Sequence, residues 1–208
     1  MAPPLHELKE TPSQTAGPYV HIGLAPGAAG FSIFNHELGW DIAGETAPGE
    51  RIRIEGMVRD GTGALVKDVL IEVWQADANG VYPHPEDPGH TAVDGGFRGW
   101  GRVITDFETG LYAFDTIKPG PVKGRGGEMQ APHISLWMVA RGINIGLQTR
   151  LYFDDETAAN SADPVLKAVG APERVKTLLA QRCMRDGKPV YRFDIRLQGG
   201  GETVFFDL

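Results

Sequence analysis

The sharpest alternation of apolar and polar positions runs over Arg51-Ile52-Arg53-Ile54-Glu55 and continues through Met57 and Val58. A period of two sends successive side chains to opposite faces, so this segment predicts a half-buried strand. Asp60-Gly61-Thr62-Gly63 ends it as a turn, because glycine reaches positive φ without steric cost. Leu65 to Gln75 predicts a long second strand, rich in Val, Leu and Ile, with Trp74 near its end. Asp77-Ala78-Asn79-Gly80 follows, and Asn-Gly is a strong short hairpin signal. Two strand pairs come next. Gly101 to Asp106 is expected to pair with Leu111 to Ile117 across Glu108-Thr109-Gly110, and His133 to Ala140 with Leu147 to Phe153 across Arg141-Gly142. Tyr191 to Leu197 alternates aromatic and aliphatic residues with charged ones, as a strand with one wet face should.

Helical spacing is confined to residues 163–182. Asp163-Pro164 opens one short helix, with Val165, Leu166 and Val169 on a common face before Gly170. A second stretch, Pro172 to Arg182, puts Val175, Leu178 and Leu179 on one face. Short strands at regular spacing with few helices predict an all-β chain folded as a two-sheet β-sandwich. Residues 1–50 are rich in Pro and Gly and hold no sustained period. They read as an extended arm with loops, lying on their own sandwich or on a neighbouring chain. No repeat or composition break divides the sequence, so 1–208 is read as a single domain.

Composition narrows the function classes. Hydrophobic residues make up 41% and charged residues 23% of the 208, which argues against disorder. A formal net charge of -7 offers no basic patch for nucleic acid. By the same token, an anionic substrate needs a locally placed arginine. A single cysteine, Cys183, excludes an internal disulfide framework and suits a reducing compartment. The MAPPLHELKE start has no secretory-signal pattern, and no apolar run reaches the roughly 20 residues of a membrane span. A soluble cytoplasmic protein is expected.

Six histidines are present: His6, His21, His36, His84, His90 and His133. His84 and His90 flank Glu86 and Asp87 in PHPEDPGH, a spacing better suited to a solvated polar loop than to a metal site. Cys183, between Arg182 and Arg185, lacks a nearby histidine base and reads as an inert thiol. From residues alone, no complete catalytic set is present.

Six strings nevertheless form a pattern together: Thr11-Pro-Ser-Gln-Thr-Ala-Gly-Pro-Tyr19, Val69 to Gly80 with its EVWQA core, Ile117-Lys-Pro-Gly-Pro121, Ala131-Pro-His-Ile-Ser135, Ala140-Arg-Gly-Ile-Asn-Ile145 and Gly201 to Leu208. In this order, over almost the whole chain, they resemble the intradiol aromatic-ring dioxygenases. The resemblance implies a β-sandwich and the cleavage of a catechol ring between its two hydroxyl-bearing carbons, with both atoms of O2 incorporated. It also implies a non-haem Fe(3+) held by two tyrosines and two histidines in the active chains, since phenolates are hard, anionic donors that suit ferric iron. The matching positions here are Tyr82, Val122, His133 and Ser135. One tyrosine and one histidine remain, while valine has no donor atom and serine is a poor one. The resemblance therefore implies a metal-free, alpha-type chain that works beside an iron-bearing beta partner in alpha-beta pairs of a larger oligomer. Small aromatic substrate and O2 would meet at the junction of the two chains. Arg141, Tyr19 and Thr15 are the positions by which such a chain contributes to the pocket wall, Arg141 facing a substrate carboxylate. A purely structural partner without contact to substrate is the alternative.

Overall fold

The computed structural model describes residues 11–124 and 126–207. His6, the MAPPLHELKE start and the first ten residues of the expected arm lie outside the described residues, as do Arg125 and Leu208. Strands β1 (Arg51–Arg59), β2 (Leu70–Gln75), β3 (Trp100–Ile104), β4 (Leu111–Ile117), β5 (Val122–Lys123), β6 (Met129–Gln130), β7 (His133–Val139), β8 (Leu147–Phe153), β9 (Leu179–Arg185), β10 (Lys188–Arg192) and β11 (Ile195–Arg196) dominate. The α-helices are short: α1 (Tyr19–Leu24), α2 (Thr157–Ala162), α3 (Pro164–Val169) and α4 (Pro172–Lys176).

Among the described residues, nine strands share one ladder that runs β4-β1-β10-β9-β8-β7-β2-β3, with β11 continuing β10 along β1. The expected separation into two sheets is not what this ladder shows. Its halves meet in a seam only two residues long, where β8 and β9 run parallel through Tyr152↔Leu179 and Phe153↔Ala180. The 105–110 turn then carries the chain from β3, at one end of the ladder, to β4, at the other, so the sheet nearly closes on itself. Ile54, Val58, Ile71, Val73, Ile134, Leu136, Leu151, Phe153 and Tyr191 fill the space inside. Where β2 ends, buried Gln75 donates from Nε2 to the Ile117 carbonyl at 2.9 Å and accepts from Thr116 Oγ1 at 2.8 Å. This ties β2 to β4 without leaving a polar atom unpaired.

Several sequence expectations change in detail. β1, β7 and β8 form as expected, and β7 and β8 pair. The strand foreseen from Leu65 starts only at Leu70, because Lys67 and Asp68 make a turn that carries Asp68 toward Arg141. β3 and β4 both exist around a turn organised by Asp106 Oδ1, which accepts from the Glu108 and Thr109 amides. They do not pair with each other: β3 joins β2 and β4 joins β1. The Asn79-Gly80 turn is present, yet the chain leaves β2 for a long excursion and returns only at β3. The second helix stops at Lys176, and Leu179–Arg185 is strand β9. It turns into β10 over Asp186-Gly187, both at positive φ, as a two-residue hairpin loop demands. The strand read over Tyr191 to Leu197 is interrupted at Phe193-Asp194, where Asp194 Oδ1 takes the Met57 amide at 3.0 Å in place of a backbone partner. Gly56 faces this interruption, and a Cβ there would lie 1.9 Å from the Phe193 carbonyl oxygen.

Asp163 is the hinge between the helices and the sheet. It is fully buried, caps α3 by accepting from the Val165 and Leu166 amides at 2.8 Å each, and takes the Ala131 amide at 2.8 Å just before β7. Replacing it strands buried N–H groups as well as removing a cap. Asp163→Ala is expected to lose about 3 kcal/mol of unfolding free energy, measurable by urea denaturation followed by circular dichroism.

Candidate functional site

The residues singled out by sequence fall in two places, at opposite ends of β7. At its start, His133 and Ser135 project to the same face of the strand. That face is the outward one, because Ile134, Leu136 and Met138 point into the core. Register places Trp74 and Arg150 on either side of Ser135, and Tyr152 beside His133. Loops cover this face: Tyr82 stacks on Trp74 with ring centroids 5.6 Å apart, β5 brings in Val122, and the C-terminal segment lays Phe206 near Arg150. His133 is buried and its Nδ1 pairs with the Ala131 carbonyl at 2.8 Å. Burial, and then the nearby Arg150 charge, push its pKa down to about 4. Burial raises the Tyr82 hydroxyl, with Arg150 acting in the opposite direction.

Tested against a ferric ion, these residues do not fit. Val122 supplies a buried methyl surface, Ser135 a neutral hydroxyl, and a guanidinium lies beside the two donors that remain. The PHPEDPGH loop is internally bonded: Asp87 accepts from the Tyr82 and Gly89 amides, and His90 Nδ1 pairs with the Asp87 carbonyl. Cys183 is exposed on β9.

The other end of β7 carries Arg141, roughly 25 Å from His133 at the rise of an extended strand. Arg141 opens the 140–146 turn, and its Nε forms an ion pair with the buried carboxylate of Asp68. Among the described residues, its two terminal nitrogens make no hydrogen bond, and the side chain is 59% exposed. Thr15 pins the N-terminal segment here. Its hydroxyl donates to the Ala140 carbonyl at 3.2 Å and accepts from the Gly142 amide at 3.0 Å. Beside this turn opens a cleft of about 1160 Å³ whose walls include His21, Lys67, Asp68, Phe107, Arg141 and Ile145. His21 sits edge-on to Phe107 at 5.1 Å. Tyr19 begins α1 but does not line the cleft, and the residue is 74% exposed. The structure thus joins Thr15 to Arg141 and leaves Tyr19 facing outward nearby.

Asp68, His21, Phe107 and Arg150 are contributors that the sequence reading missed. Asp68 had a signal, a carboxylate inside an apolar strand pattern. Arg150 had one too, a charge on the face that Tyr152 shares. Nothing local marks His21 and Phe107, which meet only through the fold.

Comparison with known proteins places these features among relatives. Residues 32–199 match the sequence family described as Dioxygenase. The chain is 52% identical over 204 residues to the protocatechuate 3,4-dioxygenase alpha chain of Pseudomonas putida, covering 98% of this chain and 99% of that one. It is 35% identical over 185 residues to the protocatechuate 3,4-dioxygenase beta chain of Burkholderia cepacia, covering 85% of this chain and 77% of the relative. An intradiol ring-cleavage dioxygenase from Tetranychus urticae shares the fold with a TM-score of 0.58 at 16% identity, over 91% of this chain and 94% of that one.

Two outcomes follow from this geometry. His133 is neutral when buried, and its folded pKa lies below the unfolded value near 6.5, so the unfolded chain binds the extra proton first. The stability it contributes is complete above about pH 6.5 and falls, by about 3 kcal/mol in all, as pH drops toward 4. Urea titrations from pH 4 to 7.5 should show this slope, and His133→Gln should flatten it. Thr15→Val keeps the shape but removes the bridging hydroxyl, at a cost of about 1 kcal/mol. It should speed amide exchange at Gly142 and expose residues 11–17 to protease, while leaving β1–β10 exchange unchanged.

Proposed function

The chain belongs to the family of intradiol ring-cleaving dioxygenases, and on that footing we propose that it is the metal-free, alpha-type subunit of a protocatechuate 3,4-dioxygenase. With an iron-bearing beta partner it opens 3,4-dihydroxybenzoate, inserting both atoms of O2 between the hydroxyl-bearing carbons to give 3-carboxy-cis,cis-muconate. The step serves the breakdown of aromatic compounds. Bound in the partner, Fe(3+) supplies the activation of the catechol toward O2. The reading further takes residues 1–208 as one domain, the β8–β9 seam as the edge where two sheets of a sandwich join, and the cytoplasm as its place. No helix among the described residues is long and apolar enough to cross a membrane.

One observation carries the proposal. The Arg141 cleft lies at the far end of β7 from the degenerate donor positions, so a ligand held there could not reach them within the same chain. The cleft is a wall without a reactive centre, and it becomes a pocket only when another chain supplies one. The two free terminal nitrogens of Arg141 form a planar fork that matches the carboxylate of 3,4-dihydroxybenzoate. The overall charge of -7 makes such a local cation necessary. Tyr19, exposed at the start of α1, is free to pack its ring or place its hydroxyl against the substrate from the partner's side. Thr15 holds the turn that aims Arg141. All three residues then act by binding, orienting and excluding water.

Testing needs a variant that does not leave Asp68 charged and buried, so Arg141→Ala is paired with Asp68→Asn. In the assembled alpha-beta complex, the double variant is expected to raise KM for 3,4-dihydroxybenzoate about 10- to 100-fold. It should alter turnover of catechols without a carboxylate much less. Unchanged KM and kcat would leave the chain a structural partner only. The chain purified without its partner should cleave no ring.

A further inference from the structure

Arg150 stands out because it is a half-buried guanidinium that has no acidic partner among the described residues. Its neighbours are neutral and electron-rich instead. Nη1 donates to Gln130 Oε1 at 2.8 Å and lies 3.4 Å from the Tyr152 hydroxyl, and its central carbon is 6.0 Å from the Phe206 ring centroid. Register sets it directly across from Ser135, one of the two lost donor positions, on the face that also carries His133. The Asp163 carboxylate, which accepts from the Tyr152 hydroxyl, is committed to the α3 cap and the Ala131 amide. A cation held among a phenol, an amide oxygen and an aromatic face is in company that a metal ion also keeps.

We propose that Arg150 is this chain's own replacement for the metal, a resident cation that fills the degenerate site and bars a ferric ion from it. The residues left behind when ligands are lost still present lone pairs and π faces, which a guanidinium with five N–H donors can satisfy. Arginine does not deprotonate in proteins, so the positive charge is permanent and does not depend on supply from solution. On this reading Arg150 is a third feature, beside Val122 and Ser135, that opposes iron here. Restoring those two donors would not suffice. The inference rests on Val122 and Ser135 being departed ligand positions, and not on the pocket role of Arg141, which its test leaves intact.

The test compares three full-length chains refolded or expressed in the presence of ferric iron: native, Val122→Tyr/Ser135→His, and the same pair with Arg150→Gln. Iron content by elemental analysis and visible tyrosinate-to-iron absorption are the readouts. The first two should hold less than about a tenth of an equivalent, and the third at least about five-fold more. Equal iron loading in the paired and triple variants would overturn the proposal. So would a folded triple variant, with native circular dichroism, that takes up no more iron than the pair. A second measurement stands apart from metal and from the folding of the triple variant: thermal unfolding of the chain with Arg150→Lys or Arg150→Gln alone. A resident cation requires the lysine variant to melt close to the native chain and the glutamine variant clearly below both. A glutamine variant as stable as the native chain would sink the idea.

Discussion

The ion pair between Arg141 and Asp68 is the constraint on which the candidate pocket wall depends. A carboxylate buried without a counter-charge is costly by several kcal/mol, and Asp68 is buried directly before the core residues Val69, Leu70 and Ile71. Its presence forces a partner to come to it. The 140–146 turn supplies that partner, and the strand that would have run from Leu65 bends at Lys67-Asp68 to meet it. Because only Nε is used, the pairing fixes the guanidinium in direction while leaving the rest of the fork outward. Thr15 then fastens the N-terminal segment across the same turn, so three distant parts of the chain share one local geometry.

β7 joins two sites with opposite characters. At its start, the outward face is roofed by the excursion after β2, by β5 and β6, and by the C-terminal segment, and it is closed around a fixed charge. At its end, the surface is open, and apolar groups such as Ile145 and Phe107 remain exposed beside the free end of Arg141. More exposed apolar side chains follow along the arm, among them Phe31, Ile33, Phe34 and Trp40. This contrast between a closed end and an open end is what the proposed role beside an iron-bearing partner chain rests on.

Much of the local structure was legible from residue patterns. β1 was legible from its period of two and the β7–β8 pair from its two strands and turn, and Asp163-Pro164 with Gly170 marked α3 at both ends. Reading failed where the signal was non-local. Leu179 satisfies a helical spacing and a strand equally well over so short a run, and the parallel seam with β8 decided in favour of strand. The Asp186-Gly187 hairpin was visible in the residues and went unread. β3 and β4 were found, but their alternation says which face is buried and nothing about which neighbour shares the ladder.

The candidate site divides along the same line. Sequence by itself determined the side-chain chemistry on which the proposed metal-free reading rests, since the methyl groups of Val122 and the neutral hydroxyl of Ser135 are properties that no folding can change. It also determined that a substrate anion would have to find an arginine in an acidic chain. Only the tertiary structure decided that Arg141 keeps its fork free, that Thr15 reaches the adjoining Ala140 carbonyl from 125 residues away, and that Arg150 lies across from Ser135. The reason is physical: donor chemistry is carried by each residue alone, whereas burial, register and the pairing of charges exist only between residues that folding brings together.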